Sequence, residues 1–421
     1  MTLTLADQTL DLSAGPARLL LLPTGVRDVV SFRGSFTTAP DLGANDDLVQ
    51  ALVTDLLPKG TQRRDRFALA EALEDRGAFV SFYSDGLRAG FSGKCLRDDL
   101  PEVLTLVAEQ LREPSFETGE VEKAVVRAIA GVRRARESTS AWAWGALARR
   151  LYGPDHPNYV LDPSDEEERL GAVTPDDIRA YHTAHFGSDD LTIAFAGDVP
   201  VDEVVTASGA AFAGWERHGG AAVFDAEAAP QPPGRTLHTM ADRNNLDVRI
   251  GHAIGLRRDS PDYLALYAGV FALGGNFSSR LMQTVRDEQG LTYGIRAGLG
   301  AVSVEHDGHF RVDVTLSQES LEAGIEATRA EVNGFVDEGV GADALAQVQT
   351  TLAGQHVVSL ATTGGAAARL LVNAERGFPV DYLDRYPDLV TALTEAEVDE
   401  AVRGHIRPED LHVSIAGSPA A

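Results

Sequence analysis

The sequence predicts an α+β protein built from two similar halves, each with a largely antiparallel sheet flanked by helices. The first observation is a long-range repeat: residues 172–198 and 392–418 align without a gap and are identical at seven positions. Each copy begins with a threonine, Thr174 or Thr394, placed as a helix N-cap, and ends with a hydrophobic strand that closes on Ala-Gly. Two copies of one helix-strand unit this far apart indicate two domains of similar fold.

Helices followed by strand pairs are the second observation. In the first half, residues 66–76 have a helical pattern, and residues 78–83 and 87–95 predict a hairpin. The second half has the same order of a helix and two strands, at residues 279–288, 292–299 and 309–316. Helices that alternate with hairpins favour an α+β fold over a parallel α/β sheet.

The region between the halves predicts a linker. Residues 219–234 are rich in alanine, glycine and proline and end in a Gln-Pro-Pro-Gly run, a composition typical of an extended connection. The sequence therefore predicts an N-terminal domain at 1–215, a linker at 216–236 and a C-terminal domain at 237–421.

Composition restricts the classes of function. The chain has 421 residues, too long for a single core, and its hydrophobic content of 44% can fill two or more. The net charge of −26 would repel nucleic-acid phosphates, so we expect no nucleic-acid partner. No apolar run approaches the roughly 20 residues of a membrane span, and no signal peptide or anchor is evident, so we expect a cytoplasmic protein.

The histidines and the single cysteine show no metal motif. None of the eleven histidines stands in an HxxEH context, and one cysteine cannot form an internal disulfide. His182 and His185 have helical spacing, but a helix end packed before a strand is favoured over a metal site. His306 and His309 lie between two predicted strands, and we expect them in a solvated turn.

Three segments resemble a known family. They are LGGNFSSRL at 273–281, VRDEQGLTYGI at 285–295 and LARRLYGPDHP at 147–157. In this order, together with the two strands that end in Ala-Gly, they resemble the M16 zinc metallopeptidases, the family of insulinase, pitrilysin and mitochondrial processing peptidase. The resemblance implies two M16-type domains of the LuxS/metallopeptidase-like fold. It also implies that the chain forms half of a clam-shell chamber, so that two chains enclose a peptide.

The zinc positions of that family carry other residues here. The family has a His-x-x-Glu-His helix shortly before a Lys-Gly-Thr turn, and aligning that turn on residues 59–61 places Ala51, Thr54 and Asp55 at the three positions. This spacing puts all three on one helical face, where zinc needs imidazole or carboxylate ligands. The family's third ligand, a later glutamate, matches residues 125–133, which contain no acid. We therefore expect no metal in this chain.

The resemblance also implies roles for Arg286 and Tyr293. They stand where some subunits without zinc keep an arginine and a tyrosine that contact substrate. When water attacks a peptide carbonyl, negative charge grows on the oxygen, and a guanidinium and a phenol are suitable donors to it. From the residues alone, an Arg286 paired with Glu288 and a Tyr293 within a sheet are the simpler interpretation. The matched motif around both residues favours the substrate role.

Two hypotheses of function follow from the resemblance. In the first, the chain is a zinc-less subunit, inactive alone, that contributes peptide binding and transition-state stabilisation to a zinc-bearing M16 homologue. That arrangement implies a heterodimer with zinc in the partner, although a homodimer stays open. In the second, the chain is a noncatalytic scaffold comparable with the M16-like core subunits of respiratory complexes. Retention of Arg286 and Tyr293 favours the first, because a scaffold does not require that pair.

Overall fold

The computed structural model describes residues 4–44, 46–218 and 226–419, and the chain forms two compact units. Unit 1 comprises Met1–Ala130, Glu168–Phe224 and His356–Tyr386, and unit 2 comprises Gly131–Glu167, Asp225–Gln355 and Pro387–Ala421. Each unit takes most of its residues from one half of the chain and a helical segment from the other. The linker predicted at 216–236 lies partly outside the described residues, and the domain limits drawn from it stay a prediction.

Each unit contains one sheet. The strands, in chain order, are β1 Leu10–Ala14, β2 Ala17–Pro23, β3 Val29–Thr37, β4 Phe79–Ser84, β5 Arg88–Leu96, β6 Thr192–Gly197, β7 Arg235–Thr239, β8 Asn245–Ala253, β9 Thr292–Gly300, β10 His309–Ser317 and β11 His412–Gly417. Sheet 1, in unit 1, has the order β1-β2-β6-β3-β5-β4, and sheet 2, in unit 2, has the order β7-β11-β8-β10-β9. The pairs β2-β6 and β7-β11 are parallel and the other pairs are antiparallel, which confirms the predicted α+β class.

Helices lie against both sheets. The α-helices are α1 Leu5–Gln8, α2 Asp46–Leu56, α3 Arg66–Glu74, α4 Leu100–Arg112, α5 Thr118–Ala135, α6 Thr139–Leu151, α7 Pro163–Ala172, α8 Pro175–His185, α9 Val201–Ala211, α10 Tyr263–Gly274, α11 Leu321–Glu338, α12 Ala342–Ser359, α13 Thr363–Glu375, α14 Tyr382–Thr391 and α15 Glu395–His405. A π-helical segment, Met282–Glu288, precedes β9.

The sequence repeat has the same structure in both units. The hydroxyls of Thr174 and Thr394 each accept a hydrogen bond from the backbone N–H three residues on, and the carboxylates of Asp177 and Glu397 accept one from the threonine N–H. These capping boxes start α8 and α15. Each helix leads into a strand, β6 or β11, that pairs parallel on one side and antiparallel on the other. The predicted repeat of helix and strand is confirmed.

A helix from the other half of the sequence lies on one face of each sheet. In unit 1, α13 packs on β3 and β6, with Leu371 in one buried cluster with Leu20 and Ala194. In unit 2, α6 packs on β8 and β11, where Thr139 donates a hydrogen bond to Asp247. Each buried leucine contributes about 1.5 to 3 kcal/mol, so these exchanged helices belong to the cores of their units.

The histidine pairs have structural partners. His182 Nε2 donates to the Leu111 carbonyl at 2.8 Å and His185 Nδ1 to the Thr38 carbonyl at 2.7 Å, as expected for a helix end rather than a metal site. The solvated turn expected at His306 and His309 is wrong, because both residues are buried, at 7% and 1% exposure.

A buried aromatic and histidine cluster in unit 2 explains this difference. The His156 and His306 ring centroids are 5.3 Å apart, and His156 Nε2 lies 3.1 Å from an Asp307 carboxylate oxygen. Tyr152 packs on His156, and its hydroxyl lies 2.9 Å from His309 Nδ1. Tyr152 and His156 are about 150 residues away from His306 and His309 in sequence. The polar composition of residues 303–309 alone therefore could not indicate burial.

Among the described residues, no single helix is long and apolar enough to cross a membrane, although α12 and α13, a bent pair, pass that test when taken together on length and composition.

Burial lowers the pKa of His309 to about 3 and the pKa of His252 to about 4. The unfolded chain takes up these protons near pH 6.5 and the folded chain only below about pH 4, so acid favours unfolding. We expect the contribution of these two histidines to the free energy of unfolding to be constant above about pH 7. Between about pH 6.5 and 4 it falls by up to about 1.4 kcal/mol per pH unit for each histidine.

Urea unfolding at a series of pH values measures this. The variant His309→Gln should show a shallower fall than the wild type, whatever its stability at neutral pH. Val358→Ala, at an exposed position on α12 that carries no titratable group, serves as the control and should keep the wild-type slope. An unchanged slope in His309→Gln contradicts the prediction.

Candidate functional site

Arg286 and Tyr293 lie on the two sides of one turn in unit 2. Arg286 is in the π-helical segment, and Tyr293 is the second residue of β9. Between them the chain turns at Gly290, whose φ of 64° is in the left-handed region that favours glycine. π-Helical turns are rare and recur at functional sites, so the segment that holds Arg286 is itself a signal.

Backbone and side-chain contacts fix the Arg286 guanidinium. Its Nε donates to the backbone carbonyl of Tyr293 at 3.0 Å and its Nη1 donates to Asp287 at 2.5 Å. Asp287, not Glu288, is therefore the carboxylate that pairs with it. Nη2 makes no hydrogen bond to the residues that the structure describes, and the Tyr293 side chain is fully exposed at 100%. One guanidinium nitrogen and one phenol are thus available to a ligand.

A β-bulge accounts for the exposure of Tyr293. Ile295 pairs with Val314 and Thr292 with Leu316, so β9 has one residue more than β10 between these pairs. Ile295 is buried at 1%, and regular alternation would turn Tyr293 toward the same buried face. The extra residue re-aims the side chain, as bulges beside active sites often do.

A cavity of about 560 Å³ lies beside Tyr293 in unit 2. Its apolar lining includes Met282 and Phe277, and Phe277 is 78% exposed with its ring centroid 6.0 Å from Arg286 Cζ. Besides Tyr293 and Asn276, the polar residues that line it come from sheet 2 and are Asp247, Arg249, Arg296, Asp313 and Thr315. An open cavity with mixed lining suits a peptide side chain.

Gly274, at the C-terminal end of α10, allows this helix to approach β9. A Cβ at this position would lie 2.3 Å from the Ala297 backbone nitrogen. Any other residue would push the helix away from the strand, so the Gly-Gly of the sequence motif sets the distance between the two walls of the cavity.

Ion pairs hold the polar floor of the cavity together. Arg249 is only 8% exposed, and its Nε lies 2.9 Å from Asp313. Asp247 accepts hydrogen bonds from Thr139 at 2.6 Å and Thr315 at 2.8 Å, and it lies 3.6 Å from Arg249. A buried guanidinium needs such partners, because an unpaired one would cost several kcal/mol.

In unit 1, the three degenerate zinc positions lie on α2. Ala51 is exposed and presents a methyl group, and the buried Thr54 donates its hydroxyl to the Gln50 carbonyl at 2.8 Å. The Asp55 carboxylate forms an ion pair of 2.7 Å with Arg127 on α5. Arg127 belongs to the stretch that matches the family's third ligand, so a guanidinium-carboxylate contact joins the two helices that a metal would otherwise join.

These residues do not fit zinc. A methyl group, a hydroxyl committed to its own helix and a carboxylate neutralised by arginine leave no set of three ligands. Across residues 4–44, 46–218 and 226–419, no group of three or more histidine, cysteine, aspartate or glutamate side chains is placed to hold a metal ion.

Comparison with known proteins decides the family. The profile described as Insulinase (Peptidase family M16) matches residues 51–155, and that described as Peptidase M16 inactive domain matches residues 172–352. The chain belongs to the M16 peptidase family. The first M16 match begins at Ala51, the first of the degenerate zinc positions, and the second includes both Arg286 and Tyr293.

Relatives and solved structures agree with this M16 assignment. An uncharacterized zinc protease of Streptomyces coelicolor is 25% identical over 376 residues, covering 85% of this chain and 80% of that protein. The non-peptidase homolog YmxG of Helicobacter pylori is 20% identical over 408 residues, covering 94% and 89%. The peptidase M16 inactive domain from Pseudomonas fluorescens superposes with a TM-score of 0.88 at 22% identity over 98% of both chains, which shows the M16 fold.

Some features of the site were not predicted. The bulge at Tyr293 and the cavity depend on pairing between strands distant in sequence, and no local signal marks them. The contact between Asp55 and Arg127 had one available signal, since the acid-free stretch 125–133 offers a basic residue where the family has an acid. Arg280, in the LGGNFSSRL segment, pairs with Glu331 and Glu338 on α11, each at 2.8 Å.

The ion pair of Asp55 and Arg127 is about half exposed on both sides, so its contribution to stability should be small. We expect Asp55→Ala or Arg127→Ala to lower the free energy of unfolding by less than about 1 kcal/mol. Urea unfolding measures this, and the charge-exchanged double variant Asp55→Arg/Arg127→Asp is the control that keeps a pair. A loss of several kcal/mol would show that the contact replaces the metal as an essential cross-link.

Proposed function

We propose that this chain is the zinc-less subunit of an M16 metallopeptidase assembly, which binds peptide and stabilises the transition state at the zinc of a partner subunit. The observation that carries the proposal is a contrast between the units. Ala51, Thr54 and Asp55 cannot hold a metal, whereas Arg286, which is partly exposed, contacts Tyr293, which is fully exposed and lines a cavity. A chain that lost all function would have no need to hold that pair in place.

The geometry of unit 2 suits stabilisation of a developing oxyanion. Arg286 is held by Tyr293 O and Asp287, so its remaining Nη2–H groups need no reorganisation when charge forms. The Tyr293 hydroxyl adds a second directed donor. Asp287 offsets part of the Arg286 charge. The hydrogen bonds from Arg286 Nη2 and the Tyr293 hydroxyl therefore contribute more to stabilisation of the oxyanion than net positive charge does.

The proposed partner is a zinc-bearing M16 homologue in a heterodimer, and the proposed ligand is a peptide in extended conformation. The partner's zinc would supply the activated water, which this chain cannot. The name of the Helicobacter pylori relative, non-peptidase homolog, supports a lack of peptidase activity in the chain alone. The same name also favours the second candidate, a purely structural subunit.

We place the assembly in the cytoplasm, as the sequence predicts. PqqL of Escherichia coli, a structural neighbour whose chain is about twice as long as this one, is a periplasmic protease. The periplasm is therefore the alternative location. Fractionation of cells that express the tagged chain tests the location independently of activity.

We expect the purified chain to contain no stoichiometric zinc and to cleave no peptide. After mixing with a zinc-bearing M16 homologue from the same source, peptide hydrolysis should appear. In that mixture, Arg286→Ala or Tyr293→Phe should lower kcat/KM about 10²- to 10³-fold, the usual effect of removing one oxyanion donor. Zinc analysis and a fluorogenic peptide assay measure both parts.

The matched control is Arg385→Ala, which removes an exposed arginine on α14 whose ion pair is with Asp381, just before the same helix, and should leave the activity unchanged. Zinc and activity in the chain alone contradict the proposal. Activity in the mixture that is indifferent to Arg286 and Tyr293 supports the structural subunit instead.

A further inference from the structure

Arg296, on β9, lines the cavity beside Tyr293, and no residue in the described part of the chain pairs with its charge. Its side chain is exposed, and it makes no hydrogen bond or ion pair to the described residues. It stands directly opposite Asp313 on β10, and in an antiparallel sheet opposite charges at such positions usually pair. The absence of that pair requires an explanation.

Two other arginines already occupy Asp313. Arg249 Nε lies 2.9 Å and Arg311 Nε 2.8 Å from the same Asp313 oxygen. Arg311 is further held by the Trp144 ring, whose centroid lies 4.6 Å from its guanidinium carbon. Asp313 is therefore paired with Arg249 and Arg311. Arg296, on the edge strand β9, has no counter-ion among the described residues.

The charge count of this polar face is unequal. Three guanidiniums, of Arg249, Arg296 and Arg311, lie among two carboxylates, of Asp247 and Asp313. Asp247 is committed to Arg249 and to two threonine hydroxyls. One positive charge is left over at the cavity, in a chain whose net charge is −26. Because the protein as a whole is acidic, it does not attract anions in general. The excess positive charge at the cavity therefore favours an anion at this place alone.

The surroundings of Arg296 leave room for a ligand. Its neighbours on the same face of β9 are Gly294 and Gly298, and a Cβ at either glycine would meet no atom within 4 Å. β9 is also an edge strand, paired only with β10. No side chain on its own strand therefore covers the guanidinium, and its planar fork of donors can receive a carboxylate with two hydrogen bonds.

We infer that the cavity beside Tyr293 selects a peptide carboxylate, with Arg296 as the specificity-determining residue. The carboxylate is that of an acidic side chain or of the peptide's C-terminus, since both present the same group to a guanidinium. The inference rests on the proposed function, because it assumes that the cavity receives peptide. It adds the chemical class of the peptide, which Arg286 and Tyr293 do not determine.

Fluorescence anisotropy with the full chain tests this. The probes are a short labelled neutral peptide with an amidated C-terminus, its single-glutamate versions, the matching glutamine versions and the neutral peptide with a free C-terminal carboxylate. We expect at least one carboxylate peptide to bind about 5- to 10-fold more tightly than its neutral match. Preference for an internal glutamate identifies a side-chain carboxylate, and preference for the free C-terminus identifies the terminal one.

Arg296→Gln should abolish the preference and keep the affinity for the neutral peptide, because the cavity walls remain. Arg296→Lys should keep part of it, and Arg385→Ala all of it. Equal binding of acidic and neutral peptides overturns this inference and leaves the proposed function standing. A preference that survives in Arg296→Gln overturns the role of Arg296. Failure of every peptide to bind overturns both.

Discussion

The need to cover two faces of each sheet is the constraint on which the structure depends. In unit 1, α13 from the second half of the sequence packs on β3 and β6, and in unit 2, α6 from the first half packs on β8 and β11. Because a sheet with an uncovered apolar face would expose its core to water, neither unit is complete without a segment from the other half. The two halves of the sequence are therefore folded together rather than in series.

This exchange also positions the candidate site. The first turn of α6 reaches sheet 2 at Thr139, which bonds Asp247, and at Ser140, which bonds Arg249. The cavity extends from these residues over β9 and β10 toward Tyr293. α6 thus orders the ion pairs of the cavity floor. It leaves the edge strand β9 uncovered, so the charged side chain of Arg296 faces the cavity instead of a helix.

The two units differ at the positions that the M16 resemblance singles out. In unit 1, the residues that could hold a metal are replaced by a methyl group, a hydroxyl and a carboxylate paired with Arg127. In unit 2, the bulge in β9, the turn at Gly290 and the contact of Arg286 with the Tyr293 carbonyl hold two donors in place. In the function proposed above, this chain supplies the donors and a partner subunit supplies the metal.

Local patterns in the sequence were enough to predict the class of fold and the repeat, and with the family resemblance they predicted the loss of the zinc ligands. Capping threonines, alternating strands and the identities of Ala51, Thr54 and Asp55 are local features. The burial of His309, the bulge that exposes Tyr293 and the ion pairs that leave Arg296 unpaired among the described residues follow from packing. Each of these depends on strand register or on segments more than a hundred residues apart, and side-chain burial and charge pairing are properties of the packed neighbours, which no stretch of sequence contains.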